Sequence, residues 1–468
     1  MNGRGGAGYA WASIALLVLG CAGEPSRDAS LGISGGAKRP TPSAQAAPIQ
    51  FRLAADGLPM DGFWKSAPAI ADVNGDGFLD IAVNPRLEKG ARVFLGNGRG
   101  VWQDSSRGLA SRRSCGGGVQ FGDVNKDGIL DLVVADHCEG VYVYLGDGKG
   151  NWRAVTEGLT SEFSTGAKAK ERDQEAFKGA EAVDIGDVNG DGFMDMVVSS
   201  SDQGGLTVYL GDGTGKNWKE VKHSGLPSGD EADPGDVYFG GWAFDLRLLD
   251  MNGDGCLDVV ASYYTGPRVW WGDCKGHFTD HSTGLVKSTL GGIYGRIAIG
   301  DINGDGRPDI AIANNVNGAE AYLQSADGTW QGPIDMMPEL KGGAHAVALG
   351  DLDGDGNVDV VIGGALSAEA NYEWDPFGLF VRWGDGKGGF SERRATNLPS
   401  VGQEVIWGIK LVDMNGDGRP DILVTTGGAT GKVSSRPGVP PGANNKVTQK
   451  SLPIPHVQVW INEGIGGR

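Results

Sequence analysis

The sequence predicts an all-β protein: a seven-bladed β-propeller of four-stranded blades, its ring closed by an N-terminal outer strand in the last blade. Three observations predict it. A nonapeptide of the pattern D-x-[N/D]-x-D-G-x-x-D occurs seven times, at residues 72–80, 123–131, 187–195, 250–258, 301–309, 351–359 and 413–421, with Asp353 at the third position of the sixth copy and Asn in the others. Successive copies start 51, 64, 63, 51, 50 and 62 residues apart, the length of one four-stranded sheet with variable loops. The last repeat stops after its third strand while a lone fourth-strand sequence precedes the first, so the two ends of the chain can complete one sheet.

Residues 1–20 read as a targeting segment. Arg4 precedes an apolar run from Ala10 to Leu19, short for a bilayer span, which ends at Val18-Leu19-Gly20-Cys21. This resembles a bacterial lipoprotein signal, in which the modified cysteine directly follows a small residue. Val18 and Leu19 depart from the residues commonest at their positions. The resemblance implies cleavage before Cys21, lipidation of Cys21, and export to the bacterial cell envelope, at the outer membrane or cell surface. The alternative is an ordinary secretory signal cut after Ala22 or Gly23, giving a secreted protein. Residues 21–48 are rich in Ala, Gly, Ser and Pro without an apolar period and read as a flexible tether. The propeller occupies residues 49–468.

Each repeat has one plan. A short apolar strand (296–300 before Asp301) enters the nonapeptide, and a β-branched run such as Ile310-Ala311-Ile312 leaves it. A third strand follows, for example residues 141–145, 206–210 and 269–271. A glycine-rich hairpin then leads to a fourth strand that opens on an aromatic and closes on Gly-Leu, as in 152–159, 218–226 and 278–285. The lone sequence 51–58 has the same ends, Phe51 and Gly57-Leu58, whereas the chain stops soon after the third-strand sequence 457–461.

The nonapeptide places oxygen side chains at positions 1, 3, 5 and 9 around a point, with glycine at position 6 for the sharp turn. Hard oxygen donors on a tight loop suit Ca²⁺. The expected ligands are Asp72, Asn74, Asp76 and Asp80; Asp123, Asn125, Asp127 and Asp131; Asp187, Asn189, Asp191 and Asp195; Asp250, Asn252, Asp254 and Asp258; Asp301, Asn303, Asp305 and Asp309; Asp351, Asp353, Asp355 and Asp359; and Asp413, Asn415, Asp417 and Asp421. One Ca²⁺ per blade is expected. An EF-hand shares the first six positions but needs Glu at position 12, where this chain has Val83, Val134, Val198, Ala261, Ile312, Ile362 and Val424.

The bulk numbers agree. Eighty-two glycines suit many tight hairpins and have no collagen period. A net charge of −18 argues against nucleic acid as partner. The seven loops carry 22 aspartates, and seven divalent ions would bring that −18 to −4. An acidic patch for basic partners is the weaker reading.

The alternation of strands puts the nonapeptides and the 3–4 hairpins on one face, and the 2–3 and 4–1 loops on the other. Cys115 and Cys138 then share the loop-rich face of one blade, and Cys256 and Cys274 the nonapeptide face of another. Disulfides 115–138 and 256–274 follow.

Loop, strand rhythm and sevenfold count together resemble FG-GAP/VCBS repeat proteins, relatives of the integrin α-subunit propellers. The resemblance spans residues 49–468. It implies Ca²⁺ in the 1–2 hairpins of the lower face and ligands on the opposite face or its rim. Complete loops in all seven repeats, where integrins have only a few, favour a structural role for the metal.

Candidate ligand residues on the loop-rich face are Trp64, Trp242, Tyr294, Arg296, His345, Trp374 and Trp407, with a charged insert at 161–178 and a Gly/Pro stretch at 427–455. Exposed aromatics beside acids and arginines suit a glycan or a protein partner. The leading reading is a monomeric binding or adhesion module, joined to the membrane only through its lipid. The alternative is a polysaccharide-active enzyme of lyase or dehydratase type. Glu181, Asp184, Asp245, Arg247, Tyr294, Arg296, His345 and Lys410 fall at the inner strands around the central channel and would supply it. No spacing singles out a nucleophile or general base, so no catalytic residue is assigned. His277 and His281 flank a fourth strand and read as an exposed pair rather than a metal site.

Overall fold

The structure, a computed structural model, describes residues 46–111, 113–159, 179–200, 205–227, 243–263, 265–286, 294–337, 343–365, 377–400, 402–427 and 454–466. Among them there is no helix, and none long and apolar enough to cross a membrane. Strands fill seven four-stranded antiparallel sheets, each running from the axis outward. The first is Ala69–Ala71, Asp80–Val83, Arg92–Gly96 and Trp102–Asp104. The second is Val119–Gly122, Asp131–Asp136, Gly140–Gly146 and Trp152–Leu159, and the third Ala180–Gly186, Asp195–Ser200, Leu206–Gly211 and Trp218–Glu220. The fourth is Ala243–Leu249, Asp258–Tyr263, Gly266–Gly272 and Phe278–Asp280, and the fifth Tyr294–Gly300, Asp309–Asn314, Gly318–Gln324 and Trp330–Asp335. The sixth is Ala344–Gly350, Asp359–Gly364, Gly378–Gly384 and Phe390–Ser391. The seventh joins Ile406–Val412, Asp421–Thr426 and Val457–Ile465 to the N-terminal strand Ala46–Leu53.

The core lies between blades. Second strands such as Ile81-Ala82-Val83 are fully buried because neighbouring blades cover both faces, which explains their unbroken apolar runs. Ile81, Val83 and Phe94 of the first blade pack with Leu423, Val457 and Val459 of the seventh, so the ring is closed.

The N-terminal strand pairs antiparallel with the last strand, Arg52 opposite Ile461 and Leu53 opposite Trp460. A short strand, Arg394–Thr396, adds to its outer edge in parallel. Ile49 and Phe51 are buried in the core shared with the sixth blade. Asn397 clamps Phe51 from both sides, its Oδ1 accepting from the Phe51 N–H at 2.7 Å and its Nδ2 donating to the Phe51 carbonyl at 2.9 Å.

This strand starts at Ala46 and ends at Leu53, not at 51 and 58 as the sequence suggests. Residues 54–58 instead form a clamp to the first blade. The Trp102 N–H donates to the Asp56 carbonyl at 2.8 Å, and a Cβ on Gly57 (φ +88°) would lie 2.0 Å from the Trp102 carbonyl oxygen. Only glycine tolerates both the left-handed backbone and that approach. The clamp recurs as Gly108 on Trp152, Gly225 on Phe278 and Gly284 on Trp330. Gly-Leu is thus a joint onto the next blade, and the fourth strands of the first, third and fourth blades are only three residues long.

Disulfides Cys115–Cys138 and Cys256–Cys274 are both formed as expected. The first sits beside a two-stranded ribbon, Arg86–Lys89 with Arg113–Cys115, that ties the first two blades together.

Candidate functional site

Three groups of residues offer chemistry: the nonapeptide loops, a ring at the mouth of the central channel, and the channel below it.

In the loops one pattern repeats. In the first, Asp72 accepts from the N–H groups of Gly75, Asp76 and Gly77, Asn74 from that of Asp76, and Asp76 from that of Phe78. The aspartate at position 9 has a different place. It is fully buried in all seven loops and ties the start of the loop to the third strand of its sheet through backbone donors. Asp80, for example, accepts from Val73 at 2.9 Å and from Gly96 at 2.8 Å. Burial pushes these carboxyls up, to about 6 for Asp80, Asp131, Asp195, Asp258, Asp309 and Asp421, against the pull of their backbone donors. Asp359 reaches about 7. Carboxylates crowded in this way suit a bound cation.

The sixth loop provides the fit test. Oxygens of Asp351, Asp353 and Asp359 lie within 4.8 Å of one another. Both carboxylate oxygens of Asp353 are buried without a hydrogen-bond partner, although Arg393 and Arg394 stand 3.1 and 3.4 Å away. An all-oxygen donor set whose Asp353 oxygens accept no hydrogen bond and meet only the two guanidinium charges fits a hard divalent cation.

The mouth ring arises from a bulge that the repeats share. Pairing of first to second strand slips near the start of five inner strands: between Ala180 and Val183, Ala243 and Asp245, Tyr294 and Ile297, Ala344 and Ala346, and Ile406 and Gly408. A bulge leaves an extra residue out of the ladder and re-aims its side chain. Glu181, Phe244, Arg296, His345 and Trp407 stand at these slips.

Arg296 crosses the ring. Its guanidinium donates to the carbonyls of Trp407 at 3.0 Å, Phe244 at 2.9 Å and Lys65 at 2.6 Å, joining three other blades or their lead-ins. Beside it Glu181, 1% exposed, is ion-paired with Lys65 and accepts His137 Nδ1 at 2.6 Å. Burial alone would raise the Glu181 carboxyl, but Lys65 and His137 together hold it far below the usual carboxylate range. Opposite lies an aromatic patch. Trp407 packs 5.3 Å from Phe63 and 5.0 Å from His345, and the Arg86 guanidinium lies 5.7 Å over Phe63. Burial and then the Arg296 charge push the His345 imidazole down to about 4, so it is neutral at pH 7.

Of the sequence-predicted ligand residues, Arg296, His345 and Trp407 meet at this mouth. Trp64 and Tyr294 do not face outward: they are 3% and 2% exposed and belong to the interblade core. Burial explains this, since each flat ring fills the gap between two blades. Trp242 and Trp374 lie outside the described residues, as do Cys21, the insert 161–178 and most of 427–455. His281 stacks on Trp271 at 3.5 Å, and His277 sits 3.7 Å from Asp273. Sequence reasoning missed Phe63, Lys65, Arg86 and His137, which lie in connections that carry no period.

Deeper in the channel the carboxylates are joined to neighbouring blades. Asp184 accepts from the Leu248 N–H at 2.8 Å and Asp245 from that of Ile297 at 3.0 Å. Arg247 grips Asp245 with two bonds of 2.6 and 2.9 Å.

The sequence pattern of the FG-GAP-like repeat matches residues 72–134, 123–198, 250–312 and 301–362. Among curated proteins nothing matches. Among solved structures, BBS1N in complex with ARL6DN is 11% identical over 89% of this chain and 97% of its own, with a TM-score of 0.51. The BP39L lectin from Burkholderia pseudomallei is 16% identical over 78% of this chain and 94% of its own, with a TM-score of 0.50. At such identities the likeness is one of fold.

Proposed function

The chain belongs to the FG-GAP-like repeat family, and on that premise we propose that it is an exported, Ca²⁺-stabilised module that binds a glycan at the aromatic mouth of its loop-rich face. The observation that carries this reading is the half-buried patch of Phe63, His345 and Trp407, with Arg86, Lys65 and Glu181 around it. A sugar ring offers an apolar face to stack and hydroxyls to hydrogen-bond, so aromatic faces beside fixed charges are a suitable surface. That BP39L is a lectin is in keeping with a glycan rather than a protein partner.

In this reading each nonapeptide holds one Ca²⁺ through positions 1, 3, 5 and 9, and the metal neutralises carboxylates that would otherwise repel. Export through the N-terminal signal supplies the Ca²⁺, and Cys21 carries the lipid that holds the propeller at the envelope. A glycan array probed with wild type and Trp407→Ala, in Ca²⁺ and in EDTA, tests the binding claim. Hits that vanish in Trp407→Ala, with its circular dichroism unchanged, support it. Hits that persist, or release of polysaccharide cleavage products, overturn it, and products would put the enzyme alternative in its place. Cys21→Ser is expected in the soluble fraction.

A further inference from the structure

Below Arg296, on the nonapeptide side, the channel holds a cavity of about 240 Å³. Its walls are the second halves of inner strands, residues 247–249, 297–299, 347–349 and 409–411. Three cations line it: Arg247, Arg296 and Lys410. Two carboxylates lie close by, Asp184 and Asp245, and both are already committed to backbone donors of the next blade. Arg247 is taken by Asp245, and Arg296 by its three carbonyls. Among the described residues Lys410 has no hydrogen-bond or ion-pair partner.

The cavity thus carries one more positive than negative charge, and the surplus sits on the amino group with free donors. Its state agrees: the Arg247 charge first, and burial next, push the Lys410 amine down to about 8, despite the pull of Asp245 and Asp184. Three cations thus face two carboxylates. The other walls are apolar side chains, Leu248, Ile297, Val347 and Ile409 among them.

We propose that the channel binds one small oxyanion, of sulfate or carboxylate type, between Lys410 and Arg247. A liquid water takes about 30 Å³, so the cavity accommodates such an ion with part of its hydration shell. Lys410 donates through its ammonium group and Arg247 through whatever N–H groups Asp245 leaves free, the charge-assisted contacts that hold oxyanions most strongly. The anion would complete a central plug whose other half is Arg296. This assignment is independent of the glycan reading, because it concerns the opposite side of Arg296 from the aromatic mouth.

The probe is sodium sulfate, titrated calorimetrically into the full mature chain at constant ionic strength, with NaCl as balance and Ca²⁺ present throughout. Wild type is expected to bind one sulfate saturably. Lys410→Met should weaken it about tenfold or more, and Lys410→Arg, which keeps the charge, should stay within about threefold of wild type. In wild type, sulfate should also protect Lys410 from acetylation, read by peptide mass spectrometry, which needs no variant to fold. Absence of saturable binding, wild-type affinity in Lys410→Met, or unchanged labelling of Lys410 overturns the assignment.

Discussion

Asp309→Ala isolates what the buried position-9 carboxylate does for a blade. Asp309 is fully buried and accepts from Ile302 at 2.9 Å and from Gln324 at 2.8 Å, tying the loop to the third strand of its sheet. Alanine leaves both N–H groups buried without an acceptor, at about 1–3 kcal/mol each, so the loss is about 2–6 kcal/mol. Asp309→Asn keeps one acceptor oxygen and turns a donor toward the other N–H, so about half that loss is expected. The assay is urea unfolding followed by tryptophan fluorescence at pH 7.5 in EDTA, with stability taken from midpoint and slope. Repeating it in excess Ca²⁺ adds the metal's share, which both variants should largely forfeit in this blade. Stability of Asp309→Ala within about 0.5 kcal/mol of wild type in EDTA would refute the reasoning, since surface changes without structural consequence fall in that range.

Other outcomes follow from the mouth and the closure. Glu181→Gln should cost about 3–5 kcal/mol at pH 7, because Lys65 then stays buried without its anion, and adding Lys65→Met should recover most of it in the same urea assay. The depressed Glu181 carboxyl contributes stability that is complete above about 4.5 and is lost as the pH falls below that. Glu181→Gln should therefore flatten the acid limb of midpoint against pH. His345 has a folded value near 4 against 6.5, so it binds fewer protons folded than unfolded; stability should rise with pH between those values, and His345→Phe should remove that slope. Phe51→Ala should cost about 3–5 kcal/mol, read as a lowered melting temperature, because the ring is fastened there.

Much of the fold was legible in the sequence. Seven nonapeptides, the β-branched runs behind them and the incomplete last repeat specify blade count and closure, because loop and buried second strand are the parts with fixed chemistry. The end of the N-terminal strand was misplaced because Gly57-Leu58 reads as a strand ending. Its reason is the close approach of Trp102 in the next blade, a long-range contact that local pattern does not carry. The mouth was legible only in part. Arg296 and His345 are legible as polar residues at inner-strand starts and Trp407 as an aromatic of the loop-rich face, but bulges break the period-2 parity there. Tyr294, two residues from Arg296, therefore turns into the core while Arg296 enters the channel. Lys65 and His137 reach Glu181 from connections, and no spacing along the chain links 65, 137 and 181.

The central claim is that a divalent ion cements the inner hairpin of every blade. For a Kd near 0.1 mM, ~1 mM Ca²⁺ stabilises each site by roughly 1.4 kcal/mol, on the order of 10 kcal/mol over seven sites. Calorimetric titration of Ca²⁺ into chelator-stripped protein, with melting temperature followed in parallel, measures this directly. The account predicts about seven ions per chain and a melting temperature that climbs with Ca²⁺ concentration; an uptake of none or one, or a melting temperature indifferent to EDTA, would contradict it.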